Sequence, residues 1–268
     1  MYAKIKLHQK IIIQVVLLAL ALLWLAPLTV AVVKSLDING LGNYIAVLQH
    51  PKVHLGRVVF NSFFIATTTT LLLVVIVSLA AFAFSKMDFP FKNILYYALL
   101  VCLTIPIASV MTPLFVTVRS FGLMNTYFSL ILPIAAFQAP FLLLILRNYF
   151  DTIPNDLLEA ATIDGASSLQ VLYHIMIPLG VPALVNIMVL GFVNSWNEYF
   201  IPLLFVRKEE LYTVTLAATY FTGSKFQTPE MVAQLYATLL IITIPSIVFY
   251  LFTQRYMQEG LTAGAVKS

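Results

Sequence analysis

Residues 11–33 read IIIQVVLLALALLWLAPLTVAVV and carry no charged side chain. A helix needs about 20 consecutive, mainly apolar residues to cross the hydrocarbon core of a bilayer. A surface helix of a soluble domain would place polar residues along one whole face. Here Gln14 and Thr29 are the only polar side chains, so the apolar surface runs all the way round. Lys4, Lys6 and Lys10 precede the stretch as they would in a secretory signal, but no small-residue cleavage site follows. The stretch is expected to remain as a first membrane span.

Five further apolar segments follow, at residues 58–84, 94–118, 127–146, 181–206 and 231–254. The joining stretches hold nearly all the charges. Composition agrees: the chain is 61% apolar and 10% charged, with a mean hydropathy of +0.95. A soluble domain sits near 45–50% apolar and about 25% charged, so this chain has too few charges to coat a water-exposed surface. The expected fold is an all-α membrane protein, residues 1–268 forming a single transmembrane domain of six helices. The four threonines at 67–70 lie inside the second span, where their hydroxyls bond back to helix carbonyls or across to a neighbouring helix.

An even number of spans puts both termini on one side, together with the links at 85–93 and 147–180. Lys and Arg counts give eight on that side against seven on the other. The positive-inside rule therefore does not decide the orientation.

Several function classes are poorly supported. The net charge is +4, yet no basic cluster is interleaved with exposed aromatics, which argues against nucleic acid. Cys102 is the lone cysteine and reads as a packing residue, so no internal disulfide is possible. His8, His50, His54 and His174 share no metal-ligand spacing, and no bound metal is expected. The phosphate-cradling pattern Gly-x-x-x-x-Gly-Lys-Ser/Thr is absent; Thr222-Gly-Ser-Lys225 lacks its first glycine and its spacing. If transport by this chain uses ATP, another chain hydrolyses it.

The link at 147–180 is the most informative. It runs RNYFDTIPNDLLEAATIDGASSLQVLYHIMIPLG. Pro154 suits the first turn of a helix, where its missing N–H costs nothing. Asp156 and Glu159 then lie near the positive helix start. At 100° per residue Leu157, Leu158, Ala160 and Ala161 cover one face, and Asn155, Glu159 and Thr162 the other. Gly165 ends the helix. Ser167 and Gln170 match a capping box for a second short helix, which Pro178 stops. A helix of about ten residues is marginal alone in water. A helix lying on a membrane surface would carry Lys and Arg on its polar face, whereas this one carries acids. A protein groove is the better seat for it.

Glu159-Ala160-Ala161, then Gly165, then Ile177-Pro178 resembles the EAA signature of importer-type ATP-binding-cassette permeases. Gly165 follows Ala161 by four and Pro178 follows Gly165 by thirteen; Ile177 stands where the family has Leu. The fuller string from Pro154 through Leu157, Glu159, Ile163, Asp164 and Gly165 resembles the maltose-type, carbohydrate-uptake branch. So do Asn61-Ser62, Pro106, Pro113, Gly122-Leu-x-Asn125-Thr126, Trp196-Asn197-Glu198 and the tail from Gly260 to Lys267. A lone Glu-Ala-Ala is common in helices; the ordered set over 61–267 is specific.

The resemblance implies a permease subunit forming half of the translocation path for a sugar or oligosaccharide. It implies a second homologous permease, a dimer of ATPase subunits carrying the ATP and Mg, and an extracytoplasmic solute-binding protein. This chain would bind no cofactor and be no enzyme. By the same resemblance 147–180 is a cytoplasmic coupling loop between helices 4 and 5. Asn155, Glu159, Ala160, Ala161, Asp164, Gly165 and Pro178 are its coupling residues, with Glu159 facing a basic residue of the ATPase. Both termini then face the cytoplasm of a multi-pass inner-membrane protein, and Gly264 and Lys267 in the tail reach the ATPase.

Within the spans, Glu198 is the costliest residue, because a charge at mid-membrane costs about 2.5–3.5 kcal/mol on insertion scales. With Asn194 and Asn197 it reads either as a hydrogen-bonding solute path or as bonding between helices near the outer interface. Gly191 and Pro202 would loosen the helix there. The alternative function is a self-sufficient secondary transporter or channel, a class that favours repeated halves or several intramembrane charges.

Overall fold

The computed structural model describes residues 7–50, 54–221 and 228–265. Every regular element among them is helical. In chain order these are α1 (Leu7–Ser35), α2 (Gly42–Leu48), α3 (Leu55–Lys86), α4 (Lys92–Cys102), α5 (Ile107–Ser120) and α6 (Phe128–Asp151). There follow α7 (Asn155–Ile163), α8 (Ser168–Leu179), α9 (Val181–Trp196), α10 (Phe200–Phe205) and α11 (Pro229–Ala265), with short helical turns at Glu209–Leu211, Val214–Ala217 and Ala218–Phe221 between the last two. Four of them, α1, α3, α6 and α11 through Phe252, are long and apolar enough to cross a membrane. Two further pairs pass only together, α4 with α5 bent by 102° and α8 with α9 bent by 82°. Counting each bent pair as one span gives six.

The breaks have local causes. The third apolar segment reads as one continuous helix but turns at 103–106. Ile105 precedes Pro106, whose ring disfavours helical geometry in the residue before it. The bonds before the break tighten to the three-residue kind, Leu103 N–H to Leu100 O and Thr104 N–H to Val101 O, both 3.0 Å. Pro106 itself is extended, at φ −65° and ψ 130°.

The described residues divide into two compact units. The first comprises residues up to 54 and 218–243. In it α1 exposes its apolar surface along its length, with Trp24 80% exposed. The buried Asn43 ties the turn after α1, donating from Nδ2 to Ser35 O at 3.0 Å and Asp37 O at 2.8 Å. Val47, Phe221 and Ala237 form its small core.

The second unit comprises residues 55–217 and 244–265. Its centre is α3 packed against α6 and α9. One apolar cluster joins Leu73, Val77, Ala81, Leu142, Leu146, Phe150, Met176 and Ile187. A second, nearer the other end of α3, joins Ile65, Leu130, Ile134, Ile201, Phe205 and Leu216. Thr70 Oγ1 bonds back to Ala66 O at 2.7 Å, as a threonine in a span should. Gly191 does not loosen α9. It lies inside that helix, where a Cβ would rest against Thr70 Oγ1, Leu73 and Leu142 at 3.5–3.7 Å. Small residues at such crossings let helices approach closely.

Candidate functional site

The chain leaves α6 at Asp151 and starts α7 at Asn155. Pro154 is the residue just before the helix, at φ −58° and ψ 139°, one place earlier than the sequence pattern indicates. At the other end Gly165 adopts φ +84°. Its N–H reaches Thr162 O at 3.0 Å and Ala166 N–H reaches Ala161 O at 2.9 Å. This bond pair is the Schellman ending, which requires a left-handed residue at Gly165. Nothing lies within 4 Å of where a Cβ on Gly165 would be, so the surface beside it is open.

No residue of α7 is buried. Leu158 and Ala161 turn toward the core cluster. Leu157, Ala160, Ile163 and Asp164 stay exposed, Leu157 at 46% and Ile163 at 86%. The apolar face expected from the wheel is thus split. Its inner half holds the helix to the body and its outer half, Leu157 and Ala160, is presented. Glu159 faces a groove of about 770 Å³ that it shares with Asn155, Thr162, Lys86, Asp88 and Lys92. Among the described residues no hydrogen bond or ion pair engages its carboxylate.

Ser167 and Gln170 form the expected capping box: Ser167 N–H donates to Gln170 Oε1 at 2.8 Å, and Gln170 N–H to Ser167 Oγ at 3.4 Å. The helix they start does not stop at Pro178. A π-helical turn over Leu172–Met176 shifts the hydrogen-bond register just ahead of the proline, and α8 continues to Leu179. The chain turns at Gly180 instead. A Cβ there would lie 2.7 Å from Phe150 Cε1 and 2.8 Å from Met176 O.

Polar bonds fasten this end of the unit. Lys86 Nζ donates to Ile153 O at 2.6 Å and to Asn155 Oδ1 at 2.9 Å. Ser85 Oγ donates to Asp151 Oδ1 at 2.7 Å. Asp151 also pairs with Arg147 at 3.1 Å, and the Arg147 guanidinium lies 4.6 Å above the Tyr96 ring.

Asn194, Asn197 and Glu198 do not converge on a common point. Asn194 is exposed; Asn197 Nδ2 donates back to Val193 O at 2.9 Å. Glu198 Oε1 accepts from Ile201 N–H at 3.1 Å, satisfying the start of α10, and its carbonyl accepts from Thr215 Oγ1 at 2.6 Å. Near them Asn61, almost fully buried, donates to Glu210 O at 2.8 Å and Tyr212 O at 3.0 Å and accepts from Tyr127 OH at 2.7 Å. Ser62 Oγ accepts from Val214 N–H at 2.9 Å. Asn125, left-handed at φ 57°, accepts from Arg207 N–H at 2.6 Å and Lys208 N–H at 3.2 Å. Of the tail residues, Gly264 lies in the last turn of α11, and Lys267 lies outside the described residues.

The sequence reading passed over Lys86, Ser85 and Gly180. The side-chain partners of Ser85 and Lys86 lie 66 and 69 residues away, and the Phe150 ring that crowds Gly180 belongs to α6, so no local spacing announces these contacts.

Residues 75–261 match the family described as binding-protein-dependent transport system inner membrane component. The chain belongs to that family. This permease is similar to the trehalose/maltose transport system permease protein of Thermococcus litoralis, 36% identical over 227 residues covering 85% of this chain and 81% of that protein. A probable permease protein of Pyrococcus horikoshii is 31% identical over the same shares. The trehalose transport system permease protein of Mycobacterium tuberculosis is 38% identical over 71% of this chain and 69% of its own. In fold the permease is similar to a chain of a bacterial ATP-binding-cassette transporter involved in the import of alginate. That likeness has a TM-score of 0.75 at 22% identity and covers 95% of this chain and 99% of that one. A permease of this family is not itself an enzyme; ATP is hydrolysed on a partner subunit. It is a multi-pass inner-membrane protein.

Proposed function

We propose that this permease serves carbohydrate uptake, taking a sugar or oligosaccharide from an extracytoplasmic binding protein, and that α7 is where a partner ATPase drives it. The partners are a second, homologous permease and an ATPase pair that carries the ATP and Mg. The sugar reading is supported by the relatives named for trehalose and maltose. A neighbouring structure supports the binding protein: it was solved in complex with a periplasmic protein holding an alginate pentasaccharide, with a TM-score of 0.70 at 16% identity.

The observation that carries the coupling reading is the build of α7. It is a nine-residue helix with no buried side chain, closed at its C-terminal end by its own motif. It presents Leu157, Ala160 and an open surface beside Gly165. Such a helix is marginal alone, and its outer face suits close approach by another backbone. On this reading Asn155, Glu159, Ala160, Ala161, Asp164, Gly165 and Pro178 belong to the coupling element. Residues 147–180 and both termini face the cytoplasm, Gly264 and Lys267 reach toward the ATPase, and residues 1–268 make one permease domain. Asn194, Asn197 and Glu198 border the translocation path through their backbone and capping bonds.

The test is reconstitution of both permeases, the ATPase and the binding protein in vesicles, with maltose, trehalose and longer glucans offered in turn. ATP-dependent accumulation of one of them that Glu159→Lys and Gly165→Asp each abolish is the expected result. Uptake by this chain alone, or uptake unchanged in both variants, refutes the reading.

A further inference from the structure

Apolar contacts hold α7 to the body of the unit: Leu158 and Ala161 within it, Ile153 just before it and Ala166 just after it pack on the core cluster, and polar bonds add to them. Lys86 is the most direct of these. It is the last residue of α3, where helix carbonyls point outward and a cation is favoured. Its ammonium has three protons to donate. Two are used on either side of Pro154: one on Ile153 O, the other on Asn155 Oδ1 in the first residue of α7. Pro154 has no N–H to donate at this junction. Lys86 therefore closes the joint that the proline leaves open.

The helix that carries Lys86 is suited to receive a load. α3 runs 32 residues without a proline, whereas α1, α5, α6 and α11 each contain one or two. Proline is the commonest cause of a sharp helix kink. Ser85, next to Lys86, is bonded to Asp151 at the end of α6. At the other end of α3, Asn61 and Ser62 hold the backbone of Glu210, Tyr212 and Val214. The end that touches α7 and the end that touches the 210–214 segment thus belong to one unbroken helix.

We infer that Lys86 is a positioning residue of the transport cycle: it clamps α7 to α3, so that displacement of the coupling helix is delivered to α3. Asn155, on this account, takes part through Lys86 and not through a partner protein. The inference rests on α7 being the ATPase-facing helix.

The test uses the full importer complex with Cys102→Ser and spin labels on Met87→Cys and Ile163→Cys, two exposed positions bordering the same groove. Lys86→Met keeps the side-chain stem and removes the donors; Lys86→Arg restores them. In the parent, the distance between labels is narrow and is the same with and without ATP–vanadate. In Lys86→Met, the ATPase still co-purifies, the distance distribution broadens, and ATP–vanadate moves its centre by about 2 Å, the scale of helix shifts in switching proteins. Lys86→Arg returns the parent behaviour. A Lys86→Met distribution as narrow and as fixed as the parent's overturns the clamp, as does one that Lys86→Arg fails to correct. The coupling reading itself fails separately: if Glu159→Lys and Gly165→Asp both retain the ATPase with undiminished uptake, α7 is not the driven helix, whatever the label distance shows.

Discussion

Replacing Gly180 by alanine tests whether the bend between α8 and α9 is set by space. Gly180 has φ −84° and ψ −1°, a conformation that any residue adopts. Backbone freedom therefore gives no reason for glycine. By loss of unfolded-chain entropy alone, alanine would stabilise by about 0.4–1 kcal/mol. Against that, its Cβ would sit 2.7 Å from Phe150 Cε1 and 2.8 Å from Met176 O. Phe150 and Met176 are both fully buried, so neither has room to retreat. Met176 O is also backbone and accepts the Gly180 N–H at 2.8 Å, so moving it loosens the bond that forms the bend. Overpacking a filled core costs about 1–3 kcal/mol. Two contacts, one against backbone, place this case in the upper half, for a net loss of about 2 kcal/mol once the entropy gain is subtracted. For a chain of this size that is about 4–8 °C in midpoint temperature. The assay is thermal unfolding of the detergent-solubilised permease. A double variant sharpens it. Phe150→Leu alone, a large-to-small change at a buried site, costs less than the roughly 3–5 kcal/mol of full truncation to alanine. Combined with Gly180→Ala it should cost less than the sum, because the ring contact is gone and the Met176 O contact remains. A midpoint for Gly180→Ala at or above the parent's, or strict additivity in the pair, refutes the steric argument.

Asn61→Leu removes three partly buried hydrogen bonds, to Glu210 O and Tyr212 O and from Tyr127 OH; at about 0.5–1.5 kcal/mol each, the midpoint falls more than for Ser62→Ala, which removes one bond. Gly165→Ala meets no neighbour but must hold φ +84°, costing about 1–2 kcal/mol, so co-purification with the ATPase weakens but persists, whereas Gly165→Asp eliminates it. Asn125→Gly keeps the positive φ and loses the bonds to Arg207 and Lys208; Asn125→Ala loses both, so limited proteolysis after Arg207 should rank alanine fastest, glycine next and the parent slowest.

The legible part of the fold was what repeats or is local. Apolar runs gave the helices, because lipid exposure needs no polar face. Gly165 and the Ser167–Gln170 pair gave the end of α7 and the start of α8, because caps are written within four residues. Pro178 misled for a related reason. A proline normally stops a helix, and the π-turn over Leu172–Met176 that accommodates it has no signature in the residues themselves. The same holds for the faces of α7. The wheel grouped Leu157 with Leu158, but only the position of the core decides which leucine turns inward. Sequence alone leaves Glu198 between a solute path and bonding between helices, and its bond to Ile201 N–H emerges only where α9 ends and α10 begins. Lys86 looked like a flanking charge at the end of a span, and its partners could not be named before α3 and α7 were side by side.

The distribution of bonds along α3 has a physical logic. In lipid, an apolar helix face gains little from facing a neighbour in place of acyl chains, so packing and hydrogen bonds must do the fastening. The middle of α3 meets α6 and α9 through the apolar contacts of Leu73, Val77 and Ala81. The polar bonds are at the ends: Asn61 and Ser62 at one, Ser85 and Lys86 at the other, about 36 Å apart at 1.5 Å per residue. Hydrogen bonds are directional, so the polar pairs at the two ends add to the packing in fixing the position of α3. A helix pinned in this way, and free of proline between the pins, conveys a displacement of one end to the other with little lost to bending. The broken pair α4 and α5, with its 102° turn at Pro106, could not.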